Sequence, residues 1–151
     1  MVFKMPPIEK ILEAYSAIAD QRIEIKCLSA QVKSSDYSKE YTVTWDGNVY
    51  SSNDNASYWK GYVGYPIIAI LMLQGRLPYN KEISGLFKGI NWKKLNNKYN
   101  NNYSQVVEVL FNDWQQKEID TQAIYAEMQL VYSKLKGMNL EGKRSSLRPP
   151  R

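Results

Sequence analysis

The sequence contains no histidine, which removes the one side chain whose ordinary pKa suits proton transfer near neutrality. Serine–histidine and cysteine–histidine catalysis go with it, as does histidine-ligated zinc. Cysteine is nearly as scarce. Cys27 stands alone, so the chain makes no internal disulfide and no cysteine metal cluster. Long apolar runs are missing too. The longest, "PIIAILML" at 66–73, falls far short of the ~20 residues that span a bilayer. The stretch "MVFKMPPIEK" reaches Pro6 and Pro7 without the apolar core of a secretory signal. These absences predict a cytoplasmic protein with no membrane partner, no metal and no cofactor, and they weigh against an enzyme. Only carboxylate or lysine chemistry is left open to it.

What is present fits one globular domain. The chain has 151 residues, of which 44% are hydrophobic and 23% charged, enough apolar material for a real core. Ile8, Ile11, Leu12, Tyr15, Ile18 and Ala19 recur at helical spacing behind Pro6-Pro7, predicting a helix that ends near Asp20. The period then changes to two. Ile23, Ile25 and Cys27 alternate, the phase slips, and Leu28, Ala30 and Val32 alternate on, which predicts one strand with a bulge near Cys27-Leu28. Tyr41, Val43 and Trp45 alternate next, and Asp46-Gly47-Asn48 supplies a tight hairpin before "NVYSS". The expected fold class is therefore α+β: an N-terminal helix, a three-stranded antiparallel meander, and a helical second half packed around the buried apolar helix 67–73. Asn91, Ser104 and Asp120 are read as N-caps of later helices, Gly137 as the end of the last one, and 138–151 as a flexible basic tail.

Charge is spread unevenly. Residues 76–98 carry six basic residues against Glu82 alone, and 138–151 carry four against Glu141. The rest of the chain is slightly acidic, so the net charge of +5 comes from these two segments. Such asymmetry speaks to partners and not to fold. Within the first segment, "ISGLFKGINWKKLNNKY" (83–99) resembles the general helix-turn-helix pattern. Gly85, Gly89, Ile90 and Leu95 stand at its small, turn and apolar positions, while Ser84, Lys88 and Lys98 occupy positions that are usually apolar. Arg76, Lys88, Lys93, Lys94 and Lys98 suit phosphates, and Asn96 and Asn97 suit base edges. Lys143, Arg144, Arg148 and Arg151 of the tail suit the same polyanion. The alternative is a solvated helix face with no such partner.

"SYWKGYVGYPII" (57–68) concentrates Tyr58, Trp59, Tyr62 and Tyr65 around Lys60 and two glycines. It reads either as a stacking platform or, with more weight, as an aromatic lid over the core. Its "GYVG" lacks the basic middle residues of a nucleic-acid-clamping GxxG loop. Asp46 and Asp54 lie near the two ends of the hairpin return and are candidates for a carboxylate pair; both read more simply as turn and loop residues. Tyr125 and Tyr132 beside the stripe Ile124, Met128, Val131 and Leu135 offer a face for a homodimer or a protein partner. The leading expectation is a non-enzymatic binding protein for DNA or RNA. The alternative is an interaction or oligomerising subunit, and a small carboxylate enzyme comes third.

Overall fold

The change of apolar period near residue 20 marks the passage from helix to sheet in the computed structural model, which describes residues 1–151. Helix α1 (Lys10–Ala19) leads into β1 (Ile23–Ile25), β2 (Ser29–Lys33), β3 (Glu40–Asp46) and β4 (Val49–Ser52), each antiparallel to its neighbour. A fifth strand, β5 (Glu141–Gly142), lies parallel to β4. The sheet order is thus β1-β2-β3-β4-β5.

Five strands replace the expected three for two reasons. The phase slip at Cys27-Leu28 is a chain reversal and not a bulge. Ile25 pairs with Ala30, and the Lys26 N–H donates to the Ser29 carbonyl at 2.8 Å. No glycine or asparagine marks this turn, and neither central residue takes positive φ. The second addition comes from the far end of the chain. Val49 pairs with Glu141 and Tyr50 with Gly142, Lys143 N–H donates to the Tyr50 carbonyl, and Gly142 exchanges bonds with Met1. The segment read as a basic tail therefore begins as a sheet strand, with Leu140 buried beside it.

Six further helices follow the hairpin: α2 (Asn55–Lys60), α3 (Tyr65–Leu73), α4 (Lys81–Leu86), α5 (Trp92–Lys98), α6 (Tyr103–Gln116) and α7 (Thr121–Gly137). Asn91 caps α5 and Asp120 caps α7 by accepting from the N–H groups of Lys94 and Ala123. Helix α6 is capped by Asn102 and not by Ser104, which lies inside the first turn and donates to the Asn102 side-chain oxygen Oδ1. The aromatic stretch 57–68 is split between two helices. Gly61, at φ +71°, ends α2 in the left-handed region that glycine enters without steric cost. Gly64 precedes α3, so Tyr58, Tyr62 and Tyr65 do not share one helical face.

Pro66 through Met72 of α3 are buried. That helix packs on β3 and β4 on one side and on α1 on the other, while α1 also touches α4 and α7. Tyr132 donates to the Pro6 carbonyl at 2.8 Å, and Tyr125 meets Phe111 edge-on at 5.0 Å with its outer side exposed. No helix is long and apolar enough to cross a membrane.

Candidate functional site

Not all of α1 is apolar. Lys10 and Glu13, three residues apart and so on one side of the helix, join in an ion pair of 2.7 Å that is largely withdrawn from water. The Lys10 ammonium also lies 4.2 Å from the centre of the Tyr103 ring. Burial disfavours its charge, but the Glu13 carboxylate and Tyr103 outweigh that effect and raise its pKa above the ordinary value. This pair forms one wall of a cleft of about 480 Å³. The other walls come from the turn before α1 (Pro6, Pro7), from Tyr41 of β3, from Asp54 to Tyr65 around α2, and from Lys93, Asn96 and Asn97 of α5.

The cleft continues inward to a smaller chamber of about 170 Å³, with Glu13, Tyr41, Asn55, Tyr65, Lys93 and Asn96 on the walls of both. Arg22, Ser34, Ser35, Lys39 and Trp92 complete the inner part. Arg22 is only 3% exposed. Its Nε donates to Asp20 at 3.2 Å and its Nη1 to the Lys33 carbonyl at 2.6 Å, while its Nη2 makes no hydrogen bond. Three buried side-chain N or O atoms in the whole chain lack a partner: Tyr15 Oη, Arg22 Nη2 and Trp92 Nε1. Two of the three belong to residues lining this one chamber.

The surrounding electrostatics follow from these placements. Burial pushes the Tyr65 phenol far above its ordinary pKa, against the opposing pull of the Arg22 guanidinium. Tyr41, edge-on to Tyr65 at 6.4 Å, is raised by burial and by the Asp54, Asp36 and Glu13 carboxylates. Asp36, the partner of Lys93, is held well below the usual carboxylate range by the Ser38 hydroxyl and N–H, with Lys93 adding to the effect at 3.5 Å. Along the walls of cleft and chamber stand five cations (Lys10, Arg22, Lys39, Lys60 and Lys93) against two carboxylates, Glu13 and Asp54, while Asp20 and Asp36 outside the lining pair with Arg22 and Lys93. Both carboxylates are engaged. Glu13 holds Lys10; Asp54 caps α2, accepting from the Ser57 N–H at 3.1 Å and from the Ser52 hydroxyl.

Residues singled out in the sequence divide between this cleft and the open surface. Lys93, Asn96 and Asn97 meet Lys60, Tyr62 and Tyr65 across it, although they are about thirty residues away in the chain. Lys93 is anchored there, its N–H donating to Ser35 and its ammonium to Ser38. Lys88, Lys94 and Lys98 stay on the exposed surface. Arg76 is elsewhere, donating to Tyr50 Oη at 2.9 Å and to Asn48 at 2.8 Å. Tyr58 and Trp59 contact each other edge-on at 4.7 Å, with the Arg144 guanidinium 4.5 Å from the first ring and 5.8 Å from the second. Lys143, Arg148 and Arg151 are exposed, and Arg148 is tethered through its carbonyl, which accepts from the Asn53 amide. Asp46 and Asp54 lie at opposite ends of the β3–β4 hairpin, because Asp46 pairs with Val49 at the turn while Ser52, just before Asp54, pairs with Val43.

Sequence reading missed Lys10, Glu13, Arg22, Tyr41, Trp92 and Tyr103 as members of this site. A Lys-Glu pair three apart on a helix is the ordinary signature of a solvated face, and a lone Arg22 between helix and strand carries no pattern of its own.

The fold and cleft define a mixed α+β protein with a polar, cation-rich pocket between helices and sheet. The family described as uncharacterised conserved protein UCP014422 matches residues 3–141, and the chain belongs to it. The matched span runs from Phe3, before α1, into β5, so every helix and the whole cleft fall inside it. No curated protein and no solved structure matches the chain.

Proposed function

We propose that this is a non-enzymatic binding protein that holds a small anionic molecule in the cleft beside α1. One observation carries the reading: Arg22, which lines the chamber, uses two of its guanidinium nitrogens within the protein and leaves the third buried without a hydrogen-bond partner. A buried charged donor left unsatisfied costs more than ~1–3 kcal/mol, and an anionic ligand removes that cost. The excess of cations on the walls favours the same sign of ligand, and the engagement of both wall carboxylates leaves neither free as a general base. Thermal unfolding with phosphate, sulfate, a nucleoside monophosphate and succinate, at ionic strength held constant with sodium chloride, tests it. At least one of these raises the melting temperature in a concentration-dependent way. Arg22→Met and, as a milder change, Lys39→Ala weaken the response. Absence of any response in the native protein contradicts the reading.

A second reading, contact with DNA or RNA, is favoured by the outer surface. Trp59 is 64% exposed and, with Tyr58, lies under Arg144; Lys4 and Lys60 line the same shallow groove. Aromatic rings among cations are what single strands stack on. Anisotropy of labelled single-stranded RNA and duplex DNA across a salt series checks it, with Trp59→Ala and Lys93→Glu/Lys94→Glu as the variants. Binding indifferent to both variants, or none at low salt, removes it.

A further inference from the structure

We infer that the inner chamber receives a phosphomonoester and that the outer cleft holds the sugar that bears it. This rests on the anion-binding reading above and names its ligand class. Donors approach the chamber from three directions. Arg22 comes from the α1–β1 junction, Ser35 and Lys39 from the β2–β3 connection, and Trp92 and Lys93 from the start of α5. The Ser35 hydroxyl oxygen already accepts from the Lys93 N–H, which leaves its own hydrogen to donate. A planar carboxylate takes its bonds in one plane, whereas a tetrahedral phosphoryl group presents three oxygens to three sides. Its charge of about −1.5 to −2 at neutral pH also makes fuller use of an arginine and two lysines.

The outer cleft has a different chemistry. Asn55, Asn97 and Asn101 are exposed amides along its wall, with Tyr62 and Tyr103 among them. Amides both donate to and accept from hydroxyls, and tyrosine rings cover the apolar face of a sugar while their hydroxyls reach its edge. A volume of about 480 Å³ lies within the range of pockets for small molecules and exceeds what a free phosphate ion needs.

The test reads the indole N–H directly. The chain has four tryptophans, hence four indole signals in a nitrogen–proton correlation spectrum, and the one missing from Trp92→Phe belongs to Trp92. Ribose 5-phosphate, inorganic phosphate, ribose and succinate are titrated in turn. Ribose 5-phosphate shifts the Trp92 signal saturably. Inorganic phosphate does so at least tenfold more weakly, and ribose does not. Trp92→Phe keeps the aromatic packing on Phe87 and loses about tenfold in affinity for ribose 5-phosphate, the size of one charge-assisted hydrogen bond. A shift with succinate but none with ribose 5-phosphate overturns the phosphomonoester and leaves the anion reading standing. Equal affinity for inorganic phosphate and ribose 5-phosphate overturns the sugar subsite. Silence of the Trp92 signal with all four, beside a melting temperature that still rises with anions, overturns the chamber as the anion site.

Discussion

Helix α3 and the inner wall of the cleft are withdrawn from water to nearly the same degree by opposite means. Ile67 to Leu71 are fully buried, and Arg22, Asp54 and Glu13 are at most 6% exposed. Each large apolar side chain buried on α3 contributes ~1.5–3 kcal/mol from removal of its surface from water. Each ion on the cleft wall loses hydration worth several kcal/mol and regains it only where a partner meets it. Stability alone accounts for α3. It does not account for a wall in which Lys10, Glu13, Arg22 and Asp54 are each held by dedicated partners while one guanidinium nitrogen has none.

The largest effect expected from breaking this contrast is on the apolar side. Leu71→Ala leaves a cavity in the core around α3 and lowers stability by about 4 kcal/mol, read from urea unfolding, with little change in the shape of the cleft. Next comes Gly64→Ala, at the joint between the two regions. A Cβ there overlaps the Asp54 carboxylate, which is locked as the cap of α2. Either the cap or the start of α3 must move, and stability falls by about 3 kcal/mol. Loss below ~0.5 kcal/mol would show the joint to be pliable.

A pH experiment separates the regions by titration. The Tyr65 and Tyr41 phenols are raised above their ordinary 10.0, chiefly by burial. Lys10 is raised above 10.5 by Glu13 and Tyr103 despite its burial. In each case the folded state holds a proton more tightly than the unfolded state, so stability is full below pH 10 and declines as the pH rises beyond it. Urea midpoints fall on that limb, and Tyr65→Phe makes the fall shallower; an unchanged slope would contradict the burial of that phenol. The smallest effect is expected at Lys117, whose pair with Asp113 is more than half exposed. Lys117→Ala changes stability by less than ~0.5 kcal/mol.

The two regions also differ in how far they can be read from the chain. Helix α3 declares itself by an unbroken apolar run behind Pro66, and α5 and α7 by the caps Asn91 and Asp120. Local patterns of this kind carry local structure. The β1–β2 reversal is hidden because Cys27 and Leu28 are neither glycine nor asparagine, so a two-residue hairpin looks like a slipped strand. Strand β5 is hidden for another reason: two residues, Glu141 and Gly142, become a strand only by pairing with β4, some ninety residues earlier in the chain. The cleft combines both difficulties. Its members come from α1, the α1–β1 junction, the β2–β3 connection, β3, α2 and α5, and each alone has an ordinary surface or turn explanation. What identifies them is burial and missing partners, which no spacing encodes.

The central claim is that the ionic wall serves a ligand and not the stability of the fold. Urea unfolding of Lys10→Met/Glu13→Leu, with and without ribose 5-phosphate, tests it most directly. Replacing a buried pair by apolar groups of similar size is often neutral or stabilising by ~1–4 kcal/mol. If the ionic wall serves the ligand, the double variant is at least as stable as the native protein and gains less stability from ribose 5-phosphate than the native protein does. A double variant that loses about 3 kcal/mol yet responds to ribose 5-phosphate as the native chain does would show that the pair supports the fold and plays no part in the site.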